Sequence, residues 1–301
     1  MNLKKKAAGL FRSALTLISP KLNTSVTYRI KFGRKLNLKN PQTLNEKILW
    51  LKFNTYWENP IVKCCADKWA VRGYLEEKGF GDVLTKLIAV YDHVEDIEWD
   101  DLPEQFAMKV NVGSGGNLIV SDKSTLDIEA AKKQLKIWMK KKYWLGWSEM
   151  QYKGVKPRIL VEEYLGSEEG RRPEDYKFYC MNGEAKYVMV CKDRGVPGEK
   201  TKFFFMDRKW NVQPLSEEKF LYPDREIEKP REIDACFDVA SKLSEEFPFV
   251  RMDFYIVDHK IYFGEFTFTP AGAMDKDFMF KAPGATEDTD TILGRELELP
   301  M

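Results

Sequence analysis

VRMDFYIVDHKIYFGEFTFTPAG, from Val250 to Gly272, has two arms of alternating residues around the polar tip Asp258-His259-Lys260. Both arms are rich in β-branched and aromatic side chains, which predicts a hairpin with a three-residue connection. Centred on His259, the register pairs Val257 with Ile261, Asp253 with Glu265 and Arg251 with Thr267. Met252, Phe254, Ile256, Tyr262, Phe266 and Phe268 then share the opposite, apolar face. A one-residue slip would throw the charges into that apolar set, so the register is well specified. Directly opposed residues have Cβ atoms about 4.5–5.5 Å apart, and like charges there repel. Asp253 and Glu265 therefore read either as a pair that shares a divalent cation or as a salt cluster neutralised by Arg251.

The chain has 301 residues, 44% hydrophobic and 32% charged, enough for one large or two smaller globular domains. Net charge is only +1, but residues 1–52 hold twelve Lys or Arg against the single acid Glu46, and the remainder holds 36 basic against 46 acidic residues. So basic a segment suits an anionic partner (a phospholipid surface, a polyanionic glycan or nucleic acid) or a solvated helical face. Cys64, Cys65, Cys180, Cys191 and Cys236 form an odd, scattered set without CxxC spacing. That argues for reduced thiols in a cytosolic chain, and against a disulfide scaffold or zinc site. His93 and His259 are the only histidines, which argues against a His-based triad.

MNLKKKAAGLFRSALTLIS at the N-terminus has the look of a signal peptide, but Arg12, Ser13 and Thr16 break its apolar part and no long apolar run follows. Leu3, Leu10, Leu15, Leu17 and Ile18 fall roughly on one side of a basic helix. Such a helix suits docking onto the protein body or peripheral membrane contact, and both readings stay open.

The N-terminal third reads as mostly helical. Thr43-Leu-Asn-Glu46 is a capping box before KILWLKF. A second amphipathic helix runs from about Asp67 to Lys78, with Trp69, Val71 and Leu75 inward and Gly79 at its end. A short apolar segment, Val83 to Tyr91, and an acidic loop follow. From Leu102 the character changes. Phe106 to Val112 alternates as a strand with Lys109 and Asn111 on its polar face, Gly113-Ser114-Gly115-Gly116 interrupts it, and Asn117 to Ser121 resumes it. A helix from about Thr125 to Tyr143 precedes the buried strand RILVEEYL, Arg158 to Leu165. Tyr176 to Cys191 is a hairpin turned at Asn182-Gly183, Lys202 to Met206 a strand, and Arg231 to Phe247 a helix behind Pro230. The sum is a mixed, largely antiparallel α+β fold. It divides into a helical region at 1–101, a small lobe at 102–165 and a large lobe at 166–301 that carries the hairpin.

Three elements bear on phosphate chemistry, and none decides the matter alone. Successive amides of a glycine turn cradle phosphate oxygens, and Lys109 would add a point charge. Gly113 to Gly116 is neither a Walker loop nor a dinucleotide fingerprint, and an ordinary hairpin with an edge lysine fits it equally. RILVEEYL suits an adenine hinge or a plain core strand. Asp67-Lys68 suits a helix cap and a surface charge. Their order is more telling. A helix-opening Asp-Lys, a strand lysine with a glycine loop, an acidic hinge and then Arg-x-Asp…Glu-x-Thr-x-x-Pro resembles the ATP-grasp superfamily. Asn40-Pro-Gln-Thr-Leu-Asn-Glu-Lys47, Asp175-Tyr-Lys177 and Gly264-Glu-Phe-Thr-Phe-Thr-Pro270 resemble its TupA-like branch, named for teichuronopeptide synthesis and found among surface-polysaccharide assembly genes. The resemblance runs from about residue 28 to 297.

The resemblance implies an ATP-grasp fold with ATP and Mg²⁺ between two α+β lobes. It implies Lys68 and Lys109 as ATP-phosphate lysines and Gly113, Ser114, Gly115 and Gly116 as the phosphate loop. Glu162, Glu163, Tyr164 and Leu165 match the adenine hinge. Asp253 and Glu265 match Mg²⁺ ligands, with Thr267 as a weaker third where many relatives have Asn. Arg251 matches the arginine beside the transferred phosphoryl group, and Lys177 and Arg194 lie where the family presents phosphate or acceptor contacts. The implied reaction is carboxylate–amine ligation through an acyl-phosphate. Its acceptor would be a small molecule or glycan such as a sugar acid or amino sugar of a cell-surface polysaccharide, and its donor an amine such as an amino acid. Nucleic acid is not an implied partner, and the implied location is the cytoplasm or the inner face of the membrane. The alternatives are an ATP-grasp sugar kinase, a non-catalytic glycan-binding module, and a metal-dependent glycosyltransferase using Asp288-Thr-Asp290. That last stretch, behind Pro283-Gly284, reads as a solvated loop.

Overall fold

The computed structural model describes residues 3–166, 173–196 and 198–300. Five helices open the chain: α1 (Leu3–Ile18), α2 (Pro20–Phe32), α3 (Leu44–Asn54), α4 (Pro60–Ala66) and α5 (Ala70–Glu77). Their ends follow capping chemistry. Ser19 accepts from Leu22 N ahead of Pro20, and Asn59 accepts from Ile61 N and Val62 N ahead of Pro60. The capping box of α3 is half made. Thr43 Oγ1 accepts from Glu46 N, but the Glu46 carboxylate turns to Gln42 N and Asn37 N, gathering the preceding loop instead of its own helix end.

A four-stranded sheet is built from β1 (Leu87–Tyr91), β2 (Phe106–Val110), β3 (Asn117–Val120) and β4 (Ile159–Glu163), in the order β1-β4-β2-β3 with every pair antiparallel. Between β3 and β4 come α6 (Ile128–Met139) and the short α7 (Tyr143–Trp147), where one longer helix was expected. Phe106, Met108, Val120, Leu135, Ile159 and Val161 form this sheet's core together with Val94, Ile97 and Trp99. The expected boundary at residue 101 therefore falls inside this unit, because β1 and the turns after it bury their apolar residues here.

The five-stranded sheet contains β5 (Asp175–Met181), β6 (Glu184–Lys192), β7 (Lys202–Met206), β8 (Phe249–Val257) and β9 (Lys260–Thr267), in the order β7-β6-β5-β8-β9 and again antiparallel throughout. Helices α8 (Glu218–Leu221) and α9 (Ile233–Ser244) precede β8, and α10 (Thr289–Glu296) follows β9. Phe178 of β5 meets Phe237 of α9 edge to face at 4.9 Å. Leu44, Ile48, Leu49 and Leu51 of α3 and Val71 and Leu75 of α5 enter the same core, so these helices belong to the large lobe and form no separate domain.

The Asp288-Thr-Asp290 stretch is not a solvated loop. Asp288 caps α10 by accepting from Thr291 N, and Asp290 is fully buried, accepting from Asn45 N at 2.8 Å. Asp288 is spent on capping α10 and Asp290 on joining α10 to α3, which also leaves no aspartate pair free for a glycosyltransferase metal. The Asn40 to Lys47 motif forms the other half of this clasp. Asn45 Nδ2 donates to Asp275 O while its Oδ1 accepts from Asp275 N, and Lys47 Nζ donates to Leu297 O.

The decisive hairpin has the expected register at its base and another at its tip. Arg251 opposes Thr267 and Asp253 opposes Glu265, but Val257 opposes Lys260 where Ile261 was expected. The turn has only two residues in the left-handed region, Asp258 (φ 49°) and His259 (φ 59°), the geometry of a tight hairpin turn. A bulge between Asp253 and Phe254, at Gly264 on the partner strand, restores the pairing below it. In consequence Phe263, not Tyr262, packs on the core face, with its ring 5.8 Å from that of Phe254. Tyr262 lies opposite Tyr255 on the other face.

At Gly264 a Cβ would stand 2.9 Å from Asp253 O and 3.2 Å from the Tyr255 ring. Gly264→Ala is expected to cost about 1–3 kcal/mol through this overpacking. The check is the urea midpoint at constant m-value, and an unchanged midpoint would mean that the bulge has slack.

Candidate active site

A cavity of about 470 Å³ separates the two sheets, within the range of small-molecule sites. Ala107, Lys109, Asn117, Ile119 and Glu163 line it from the small sheet, and Asp175, Lys177, Asp253, Tyr255 and Glu265 from the large one.

Strand alternation turns Lys109 of β2 toward the cavity, where its Nζ meets Glu162 Oε2 at 2.7 Å. Glu162 also pairs with Arg72 at 3.2 Å and is buried. Of the four expected hinge residues, Glu163, Tyr164 and Leu165 line the cavity and Glu162 does not. Burial on the strand makes it the counter-ion that positions Lys109. Lys68 stands between α4 and α5, its Nζ donating to Gly113 O at 2.7 Å and pairing with Glu265 Oε2 at 3.2 Å. It thus ties the glycine loop to the large sheet. Asp67 sets the turn by accepting from Trp69 N and Asn111 Nδ2. Ser114 and Gly115 line the cavity, Gly116 O accepts from Val110 N, and Gly113 adopts φ +74° directly over the Tyr143 ring. A Cβ at Gly113 would lie 2.3 Å from that ring, so the loop needs glycine twice over, for conformation and for room. The short helix carrying Tyr143 ends in Trp147, which packs beside Gly272 beyond the hairpin.

Opposite, β5, β8 and β9 bring charges into a row. The register places Lys177 beside Asp253 and Asp253 beside Glu265. Lys177 Nζ bridges Asp253 and Asp175, the latter at 2.6 Å, and Arg194 donates to Asp175. Arg251 grips Asp253 with two bonds of 2.7 and 2.8 Å. Burial alone would raise the Asp253 carboxyl, but Arg251 and Lys177 outweigh it and hold it below the usual carboxylate range. Asp175 goes the other way, raised by burial first and then by Asp253, despite Lys177 and Arg194. Burial lowers the Lys177 ammonium less than Asp253 and Asp175 raise it, so its net shift is upward.

Two expected roles change. Arg251 is absent from the cavity wall; its guanidinium is committed to Asp253, with further contacts to Thr267 Oγ1 at 3.3 Å and Glu265 Oε1 at 3.7 Å. The bidentate fork makes it a positioning group for the acid. Thr267 is no third metal ligand either, since its hydroxyl donates to Glu265 Oε1 and accepts from Arg251. Asp253 and Glu265 remain. Among the described residues no group of three or more acidic, His or Cys side chains converges. Two opposed carboxylates on the wall of this cavity fit Mg²⁺, which takes one or two protein carboxylates and fills its shell with water and substrate phosphates.

Asp175, which the resemblance placed with Lys177 among the phosphate or acceptor contacts, lines the cavity at the centre of the charge row, and its i, i+2 spacing from Lys177 was a legible signal that both share one strand face. Tyr255, Tyr143 and Arg72 carry no role in the sequence reading; Tyr143 and Arg72 meet Gly113 and Glu162 through distant pairings that local pattern does not encode.

A small-molecule-sized cleft between two antiparallel sheets, with lysines and a glycine loop on one wall and opposed carboxylates on the other, is the arrangement of an ATP-grasp protein. The chain matches the TupA-like ATP-grasp family over residues 46–298 and belongs to it. No curated protein matches the sequence. Among solved structures it is similar to a D-alanine–D-alanine ligase from Bacillus anthracis complexed with ATP (16% identity over 68% of this chain and 55% of that one, TM-score 0.43). It is also similar to the ATP-grasp ligase PsnB complexed with minimal precursor (14%, 84% and 66%, 0.45) and to phosphoribosylamine–glycine ligase from Thermotoga maritima (16%, 74% and 52%, 0.43). The chain thus spans between half and two thirds of the length of these proteins.

The charge row reverses one expectation from simple repulsion. Removing an acid does not relieve the hairpin, because Arg251, Lys177 and Lys68 already compensate it. Asp253→Asn leaves Arg251 and Lys177 buried without their shared partner, and is expected to lower stability by about 3–5 kcal/mol. Glu265→Gln, at the better-solvated end, should cost clearly less. Denaturant melts without metal or nucleotide decide this; equal losses, or a stabilised Asp253→Asn, would show that the row is not held by Asp253.

Proposed function

We propose that this chain is an ATP- and Mg²⁺-dependent ligase that joins a carboxylate to an amine, acting on a sugar acid or amino sugar of a cell-surface polysaccharide with an amino acid or similar amine as the second substrate. One observation carries the reading: Lys68, Lys109 and the glycine loop share a single cavity with Asp253, Glu265, Lys177 and Arg194. Family membership supports the ATP-grasp chemistry, and the polysaccharide acceptor rests on the surface-polysaccharide context of the TupA-like branch.

In this reading the carboxylate oxygen attacks the γ-phosphorus of ATP and ADP leaves, giving an acyl-phosphate. The amine nitrogen then attacks the acyl carbon, loses a proton, and phosphate departs with the C–O bond electrons. Lys68 and Lys109 bind phosphate oxygens, and Glu162 keeps Lys109 extended toward them. Asp253 and Glu265 are the groups that would hold Mg²⁺, which supplies charge neutralisation to the phosphates when bound. Arg251 keeps Asp253 in place for that duty. Lys177 and Arg194, next to Asp175 on the same wall, offer cations for an anionic acceptor. Positioned cations around a transferring phosphoryl group act mainly in the transition state.

ADP release measured across a panel of sugar acids, amino sugars and amines tests the assignment. Turnover should require both a carboxylate and an amine; release supported by a sugar hydroxyl with no amine would replace the ligase by a kinase. Arg251→Lys should lower kcat by roughly 10²-fold with the KM for ATP nearly unchanged, and should raise the Mg²⁺ concentration needed for half-maximal rate. If kcat falls with the Mg²⁺ dependence unmoved, Arg251 acts on the phosphoryl group itself and not through Asp253.

A further inference from the structure

Helix α1 is packed inside out. A helix on a protein surface normally turns its apolar stripe to the core and its polar face to water. Here the inward face carries buried Thr16 and half-buried Gly9, Arg12 and Ser13. Thr16 Oγ1 donates to Leu145 O at 2.7 Å, Asn23 Nδ2 donates to Thr16 Oγ1 and Ser148 Oγ at 2.8 and 2.9 Å, and Thr27 donates to Asn23 Oδ1. Arg12 lies over the Trp147 ring at 4.6 Å. This buried polar knot fixes the rotation of α1 against α2 and α7, because turning the helix would strand its hydroxyls and amide.

The outward face is apolar. Leu10 is 73% exposed, Leu17 69% and Ile18 74%, with Phe11 beside them, and α2 adds Ile30 at 73%. Contiguous large apolar side chains held in water mark a contact surface. Neither helix contains an acid, and Lys6, Lys21 and Arg29 are exposed without an ion-pair partner among the described residues, Lys21 lying 5.8 Å from the Phe53 ring. No described helix is long and apolar enough to cross a membrane.

We infer that the outer face of α1 and α2 docks on the surface of an anionic phospholipid bilayer, with Leu10, Phe11, Leu17 and Ile18 in the headgroup–acyl boundary and the cations on lipid phosphates. The combination of an apolar ridge and unpaired cations is that of an interfacial helix. A second copy of the chain is a poorer occupant, since a two-fold contact would set Lys6, Lys21 and Arg29 against themselves. Nucleic acid would satisfy the cations and leave the ridge in water.

The full chain is sedimented with phosphatidylcholine vesicles and with vesicles containing about one third phosphatidylglycerol. The expected result is binding to the anionic vesicles, weak binding to the neutral ones, and loss at high salt. The triple variant Leu10→Ser, Leu17→Ser, Ile18→Ser touches only exposed positions and should lower the partition coefficient by about 10-fold or more. Lys21→Glu with Arg29→Glu should lower it to a similar degree, about 10-fold. Nucleotide binding unchanged in both variants checks that the fold survives. The inference is overturned if the wild-type chain stays in the supernatant with anionic vesicles, or if the serine variant binds them as the wild type does. A dimer that the serine variant dissolves, with no vesicle binding, would likewise overturn it and make the face a self-contact.

Discussion

A row of alternating charges on the large sheet is the constraint on which the cleft depends: Arg251, Asp253, Lys177, Asp175 and Arg194, each touching the next, with the two acids buried, Arg251 and Lys177 half-buried and Arg194 exposed. Burying either acid alone would be costly, and burying both is tolerable only because each is flanked by cations. The strands enforce this order. On β5 and β8, Asp175, Lys177, Asp253 and Tyr255 line the cavity, whereas Phe178, Met252 and Phe254 on the other side are fully buried in the core. Polar rigidity on one face and aromatic packing on the other leave the acids little freedom, so the functional groups are held before any ligand arrives. Lys68 extends the row to the small lobe through Glu265, which makes one electrostatic unit out of parts from both sheets.

Much of this was legible in local pattern. Alternation alone placed Asp253 against Glu265 and Arg251 against Thr267, and the Asn182-Gly183 turn and the strand bearing Lys109 were equally plain. The tip of the hairpin was not, because a two-residue turn followed by a bulge at Gly264 has the same count of residues as a three-residue loop without one. Two errors of one residue cancel at the carboxylates and show only in the four pairs between turn and bulge, where Phe263 exchanges faces with Tyr262. Pattern also fails where a residue's partner is far away in sequence. Glu162 matched the first residue of the hinge, and only the fold brings Arg72 to it. Asp290 lies in a polar stretch and is nonetheless fully buried, since Asn45 of α3 arrives from 245 positions earlier.

The clasp between α3 and α10 explains why the Asn40 to Lys47 motif is so specific without touching the cavity. Asn45 uses its amide twice on the backbone of Asp275, in the segment that follows the hairpin, while its own N–H is held by Asp290. The motif thus fixes the direction in which the chain leaves β9, and with it the base of the strand that carries Glu265. Half of a capping box was recognisable in it; the long-range half serves the site.

Helix α7 is barely one and a half turns long, yet it has an aromatic ring at each end, Tyr143 beneath the glycine loop and Trp147 beside Gly272. A rigid strut this short cannot translate at one end only. Any displacement of the glycine loop must be accommodated by rotation of the Tyr143 ring or transmitted to the segment beyond the hairpin and to Arg12 on the first helix. The glycine loop, the segment beyond the hairpin and the first helix are therefore joined through one short element, with five residues as the linkage.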